Sequence, residues 1–362
     1  MTDQKDIVGI SLPLAAGAGA GALLVARCLP GLLYPAGAVA LSLVIACGFF
    51  SLKYKNLLSV ALLFLCTGFF CMLTWQLGTA GTPTTQPGSI VRAGERLRAA
   101  VEAIPWPSES SGALVKALTT GDRSALDKET VRIFRSSGAA HLLALSGMHL
   151  GIIYLMLTGL LRPLGHGRRA RVLRYGVVVC GCGAYALLTG SGPSIVRAAL
   201  FIFLWETAKL LGRRPDAMRV WCGGLILQLA LNPSVITQLG FQLSYLAMAG
   251  IFLLFPLLRD GYPSEGRVSD RLNLPRRIWD ALALAISCQF FTAPLSWLTF
   301  GTFPTYFLLT NLLAMPLTTV LMGCAVSTIL LSVLGCCPDM LIQATDTLCQ
   351  GLIQTLSIIA SL

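Results

Sequence analysis

The chain has 362 residues, 55% of them hydrophobic and only 12% charged, and a net charge of +11. Soluble domains average about 25% charged residues, so this composition excludes an ordinary soluble enzyme and puts the chain in the membrane class. Alternating polar and apolar strands are absent, which argues against a β-barrel. The expected fold is all-α: a polytopic integral membrane helical bundle of about ten to eleven transmembrane or re-entrant helices.

In chain order, apolar runs near 8–26, 32–50 and 57–78 form a first group, residues 1–78. The leader "MTDQKD" is not basic, so the first run reads as a retained anchor rather than a signal peptide. Residues 79–138 are polar and form a second region. "TAGTPTTQPGSI" is a Thr/Pro/Gly linker, "VRAGERLRAAVEAI" an amphipathic helix, and 112–119 another short helix. Trp106 between two prolines suits a membrane interface. Asp127 is a good N-cap for "KETVRIFRSSG", with Val131 and Phe134 on one face and Gly138 at the end. These helices are expected to lie on or near the bilayer. Further spans follow near 139–161, 175–189, 193–211, 218–231, 235–258, 278–300, 304–334 and 340–362, within a third region, 139–362.

Charge sets an expected orientation. Arg162, Arg168, Arg169, Arg171 and Arg174 crowd one loop, and Arg213, Arg214 and Arg219 mark the second loop after it. Arg259, Arg267, Arg271, Arg276 and Arg277 mark the second loop again, while the connections between carry no charge. Basic loops on alternate sides fix the cytoplasmic face. Lys53, Lys55 and the amino terminus then fall inside, and 79–138 falls outside. The twelve cysteines sit mostly in spans, as small packing residues, and none forms a zinc-finger CxxC pair. No metal or other cofactor is expected.

The polar residues inside the spans carry the functional question. Taken as one helix, 139–161 puts His149 about 80° and Ser146 about 140° from His141, so one arc holds all three. Polar groups facing lipid are costly, so that arc should face the interior or water. The Ser146-Gly147 pair invites a bend or break. His141 and His149 lie roughly 12 Å apart along the axis, too far for one shared ion. Ser146 and His149 at i, i+3 could form a hydrolytic pair, but no acidic orienter is near in sequence. Interhelical packing is the plain alternative, and a lined pathway is the default for ionisable groups in spans.

"TGSGPSIVRAAL" places Gly190, Gly192 and Pro193 before a helix holding Arg197, with Ser191 as N-cap. The span before it is only about fifteen residues, so the break is expected to reach into the membrane, as interrupted spans do at transporter substrate sites. A helix start plus Arg197 favours an anion. Glu206 and Lys209 read as a mutual ion pair. Asn232 and Pro233 start the next helix, with Gln238, Gln242 and Tyr245 on one side. Gln289 and Asn311 are lone amides in later spans. Pro316 divides a 31-residue stretch, 304–334, that should be kinked or double. Taken together these residues suggest a polar interior.

"ALTTGDRSALDKETVRIFRSSGAAHLLALSGMHLGIIY" resembles the signature region of the ComEC-type competence proteins. "GPSIVRAAL", "GRRPDAMR", "LNPSVITQLGFQLSYLAMAGIFLL" and "TNLLAMPL" resemble later blocks of that family, in the same order. The resemblance covers about residues 112 to 330. It implies an inner-membrane channel component for uptake of single-stranded DNA during natural transformation. Gly121, Asp122, Arg123, His141, Ser146, Gly147, His149, Pro193, Arg197, Gln242 and Ser244 match its motifs and carry over as pathway or structural residues, not catalysts. Relatives have an outer barrel-like DNA-binding domain and many a metallo-β-lactamase-like domain. Here 79–138 occupies the first place and no HxHxDH pattern occurs. The expectation is therefore a non-enzymatic short form in the cytoplasmic membrane. Its partners would be single-stranded DNA, membrane lipid, separate DNA-binding, nuclease and motor proteins, and further copies of itself. No P-loop is present to couple nucleotide hydrolysis. The alternatives are a small-solute or ion transporter on the same scaffold and a membrane hydrolase using Ser146 and His149.

Overall fold

The computed structural model describes residues 2–27, 61–62, 64–69, 71–72, 88–165, 167–261, 274–301 and 306–362. The expected span at 32–50, most of that at 57–78, Lys53, Lys55, most of the 79–90 linker, Arg267 and Arg271 lie outside them. Among the described residues there are fourteen α-helices and no strand, so the chain is an all-α membrane bundle. The helices are α1 (Thr2–Arg27), α2 (Gly88–Glu102), α3 (Glu109–Thr120), α4 (Lys128–Ser136), α5 (Ala140–Leu143), α6 (Gly147–Leu160) and α7 (Arg168–Leu188). They continue with α8 (Pro193–Leu210), α9 (Ala217–Leu231), α10 (Leu239–Leu253), α11 (Phe255–Asp260), α12 (Leu274–Phe300), α13 (Phe307–Val333) and α14 (Asp339–Ala360).

Among the described residues four stretches are long and apolar enough to cross a membrane: α7, α10 with α11, α12 and α13, of 21, 22, 26 and 27 residues. About 20 residues suffice for a 30 Å hydrocarbon layer. Gly9–Leu23, α6 and α9 are apolar but shorter. On α12, Phe290, Trp297 and Leu298 are exposed, the outward apolar surface that hydrocarbon rather than water would cover.

The chain divides into two compact units, one of residues 1–85 with 200–242, the other of 86–199 with 243–362. In the first, α1 packs on α9 and on the helical residues 64–69. Glycine permits that second contact. A Cβ on Gly17 would lie 1.8 Å from the Leu65 carbonyl oxygen, and one on Gly68 only 2.0 Å from that of Leu14. Gly17 and Gly21 form the small-xxx-small spacing that lets membrane helices approach closely. The expected Glu206–Lys209 pair is present at 2.8 Å, with Glu206 buried.

In the second unit α3 is the central element. Leu114, Val115, Ala117 and Leu118 are fully buried, and Thr119 and Thr120 return their hydroxyls to the carbonyls of Val115 and Lys116. Its polar Ser111, Thr119 and Thr120 and the charged Lys116 are buried along with them, so packing rather than an apolar surface all round encloses this helix. Glu109 suits its positive N-terminus, and Gly121 ends it at φ 78°. Asp127 does cap α4, accepting from the Thr130 N–H at 3.0 Å, and Gly138 follows that helix at φ 81°. Phe134 is fully buried. The apolar faces of these short helices pack within the protein. Val101, Leu118, Phe134 and Leu142 share one core with Leu321 and Met322 of α13 and Leu352 and Leu356 of α14. Ser108 and Gln350 tie α14 to the start of α3 at 2.9 Å, and Thr310 donates to the Ser137 carbonyl at 2.5 Å. Those partners lie some two hundred residues away in the chain, which helical periodicity cannot foresee.

Four expectations need correction. The span before Gly190 is 21 residues, not about fifteen, so the Gly/Pro break need not enter the membrane. Ser191 does not cap α8; Gly192 precedes Pro193 and accepts from Ile195 and Val196. Ser191 instead closes the end of α7, its N–H reaching the Ala186 carbonyl while that of Gly190 reaches Leu187, a Schellman turn. Asn232 and Pro233 open a 3-10 turn, Pro233–Thr237, before α10 begins. The stretch around Pro316 is not two helices but one, α13, with Pro316 inside it.

Candidate functional site

The segment from Gly138 to Tyr154 is not one helix. α5 ends at Leu143, Ala144 and Ser146 are extended, and α6 starts at Gly147. The break comes where Ser146-Gly147 predicted it. It abolishes the common arc of His141, Ser146 and His149. His141 is exposed, its Nδ1 bonded to the Gly138 carbonyl at 3.1 Å. His149 is wholly buried.

The Ser146 N–H donates to His149 Nδ1 at 3.1 Å, and Ser146 Oγ lies 3.0 Å from the same nitrogen. A nitrogen accepting from a backbone N–H carries no proton, so the hydroxyl donates too and the ring proton sits on Nε2. This is a helix cap in which histidine takes the place of the usual glutamate. Among the described residues His149 Nε2, itself buried, has no hydrogen-bond partner, and no carboxylate is bonded to the ring as a hydrolytic triad would have it.

Gly147 is the close-packing point of this cap. A Cβ there would stand 3.3 Å from that of Ala198 on α8. Arg197 precedes it. Its guanidinium lies 5.6 Å from the centre of the buried Tyr245 ring, and Nη2 donates to the Ser194 carbonyl at 3.4 Å. Arg197 is half-buried, and among the described residues its buried Nη1 has no partner. A ring face and a long backbone contact compensate such a cation weakly.

Asp122 and Arg123 do different work. Lys116, 8% exposed, contacts Glu102 at 2.8 Å and Asp122 at 2.9 Å. Asp122 also accepts from the Ser124 N–H at 3.0 Å. Hydrogen bonds to Glu102 and Asp122 hold the lysine above its ordinary pKa. Lys116 first, then Ser124, hold the Asp122 carboxyl well below the usual carboxylate range. Arg123 donates through Nε to the Leu143 carbonyl at 3.0 Å, fixing the end of α5 beside the break. The Tyr185 hydroxyl on α7 donates to the Thr119 carbonyl at 2.8 Å. Gly121, Asp122 and Arg123 therefore join α2, α3 and α5. Sequence reading missed Lys116, although a lysine inside "ALVKALTT" was the signal.

The remaining amides are dispersed. Gln238 is exposed at the end of the 3-10 turn, and Gln242 Nε2 donates to the Ile236 carbonyl at 2.7 Å. Ser244, Gln289 and Asn311 are half-buried on α10, α12 and α13. Among the described residues no three His, Cys, Asp or Glu side chains gather to hold a metal.

With this geometry in hand, the comparisons are specific. The family model described as "Competence protein" matches residues 118–362, which begins within α3 and takes in the Asp122 loop, the Ser146 cap and Arg197. The chain is 32% identical over 164 residues to "ComE operon protein 3" of Bacillus subtilis, covering 45% of this chain and 20% of that protein. It is 29% identical over 147 residues to "Competence protein ComA" of Neisseria gonorrhoeae, 38% of this chain and 20% of that one. It is 30% identical over 163 residues to "Uncharacterized protein YcaI" of Escherichia coli, 44% and 21%. The matches thus span about a fifth of these relatives' length. No solved structure matches the chain. The chain belongs to the competence protein family.

Proposed function

We propose that this protein is a multi-pass component of the cytoplasmic membrane that forms part of the route by which single-stranded DNA enters during natural transformation. The observation that carries the reading is Arg197: a guanidinium whose buried Nη1 has no partner among the described residues, inside a chain of the competence family. Conduction needs binding that is favourable enough to enter and weak enough to leave. One cation, already partly satisfied by Tyr245 and Ser194, meets a passing phosphate without trapping it. His149 Nε2 adds a neutral donor. The charge pattern supports an outer position for 88–138 and an inner one for the Arg162–Arg174 loop. Motor, nuclease and further DNA-binding functions belong to partners in this reading.

A half-buried guanidinium with one nitrogen unpartnered among the described residues also suits a lone small anion, so a small-anion transporter is the rival. The test is transformation of a host lacking its own channel protein. The chain restores transformants, and Arg197→Ala lowers their yield about tenfold, the equivalent of roughly 1.4 kcal/mol of lost phosphate stabilisation. If restoration fails while proteoliposomes carry out saturable, Arg197-dependent small-anion flux, the rival is correct.

A further inference from the structure

The structure carries a second cationic feature, away from Arg197, in a shallow groove of about 300 Å³ along α4. Leu126, Lys128, Val131, Arg132 and Arg135 line it. Lys128, Arg132 and Arg135 are exposed and spaced by four and three residues, the spacing that puts side chains on one helix face. They extend about 10 Å along the axis. Leu126 and Val131, half-buried, supply an apolar floor between the cationic stems.

We infer that this groove on α4 binds the backbone of a single-stranded polynucleotide before it enters the membrane, an inference that rests on the function proposed above. A row of cations matches a ligand whose charge repeats, and the apolar floor gives a sugar or base face something to cover. Arg132 is engaged by Glu129 at 2.7 Å, but those side chains are 74% and 58% exposed. An exposed pair of this kind is weak and exchanges readily for phosphate. A membrane surface fits less well. A helix lying in lipid presents its apolar face outward, whereas α4 turns Phe134 and Thr130 into the protein. Among the described residues no large apolar side chain is exposed between Val91 and Leu155.

The experiment measures binding of a labelled oligothymidylate by the full chain in nanodiscs of zwitterionic lipid, as a function of salt. Each neutralised phosphate contributes about 0.7 to the slope of log affinity against log salt for a single strand. Lys128→Gln/Arg135→Gln is expected to reduce the slope by about 1.4, and Glu129→Gln to tighten binding. An unchanged slope, no binding by the unaltered chain, or a difference between variants seen only with anionic vesicles overturns the assignment. The last outcome would make the groove a lipid contact. The same variants in the transformation assay separate the two readings. Restored transformants with an unchanged slope remove the groove alone. The expected slope change with no transformants keeps the groove and removes the transport route.

Discussion

The buried lysine of α3 makes the sharpest stability prediction. Lys116 has its side chain 10% exposed, between Asp122 at 22% and Glu102 at 59%. Breaking a buried ion pair from one side costs about 3–5 kcal/mol, because the other charge stays uncompensated. Asp122→Asn leaves Lys116 with the Ser124 hydroxyl and the Glu102 carboxylate, which is mostly in water, so the cost should be about 2–3 kcal/mol, at or just below the low end of that range. Glu102→Gln removes a partner whose charge is already hydrated, and its cost should fall within the roughly 0–1 kcal/mol of an exposed pair. In a Lys116→Met background Asp122→Asn should cost less than about 1 kcal/mol, since interacting groups are not additive.

Denaturant unfolding of the purified protein in one detergent, followed by tryptophan fluorescence, gives the four values of the cycle. Equal costs for Asp122→Asn in both backgrounds would refute the reasoning. The pH behaviour follows from the same contacts. The depressed Asp122 contributes stability above its unfolded value, near 3.9, and loses it only as pH falls through its still lower folded value. The raised Lys116 contributes fully below its unfolded value, near 10.4, and loses it as pH rises past the folded one. Between those limits the network is insensitive to pH, and a neutral-range transition abolished by Asp122→Asn would contradict it.

Three other substitutions test separate contacts. Tyr185→Phe removes the hydroxyl donated to Thr119 and should cost about 1–3 kcal/mol in the same unfolding assay, the penalty for leaving a buried carbonyl unpaired; no change would mean that water replaces it. Ser146→Ala removes a cap hydroxyl from His149 and should cost about 0.5–2 kcal/mol. Because the backbone N–H still holds the ring, transformation should fall no further than stability does. Gly68→Ala sets a methyl 2.0 Å from the Leu14 carbonyl, so residues 64–69 must move away from α1. Cysteines introduced at Leu14 and Leu65 should then cross-link less readily than in a Gly68 background, and an unchanged yield would show that the contact is not made.

How much was legible can be judged from particular residues. Asp127 was readable because a cap is local: its carboxylate reaches an N–H three residues on. The break at Ser146-Gly147 was readable for the same reason, and so was the Glu206–Lys209 pair. The shared arc of His141 and His149 was not, since it assumed a helix that the break interrupts. Ser191 was misread because its side chain suits an N-cap while its backbone completes the turn behind it. Tyr245 appeared as one of a polar row, yet its partner is Arg197, forty-eight residues earlier.

The sequence by itself determined the class of this protein: apolar runs longer than a bilayer needs, helices bounded by Asp, Gly and Pro, and ordered motif blocks of one family. Each rests on interactions within a few residues or on composition. Only the tertiary structure decided which polar groups lose their water and what then compensates them. It buried His149 and left His141 exposed, buried Lys116 between two carboxylates, and left Arg197 Nη1 without a partner among the described residues. Burial is set by which distant helix covers a face, and chain neighbours do not carry that information.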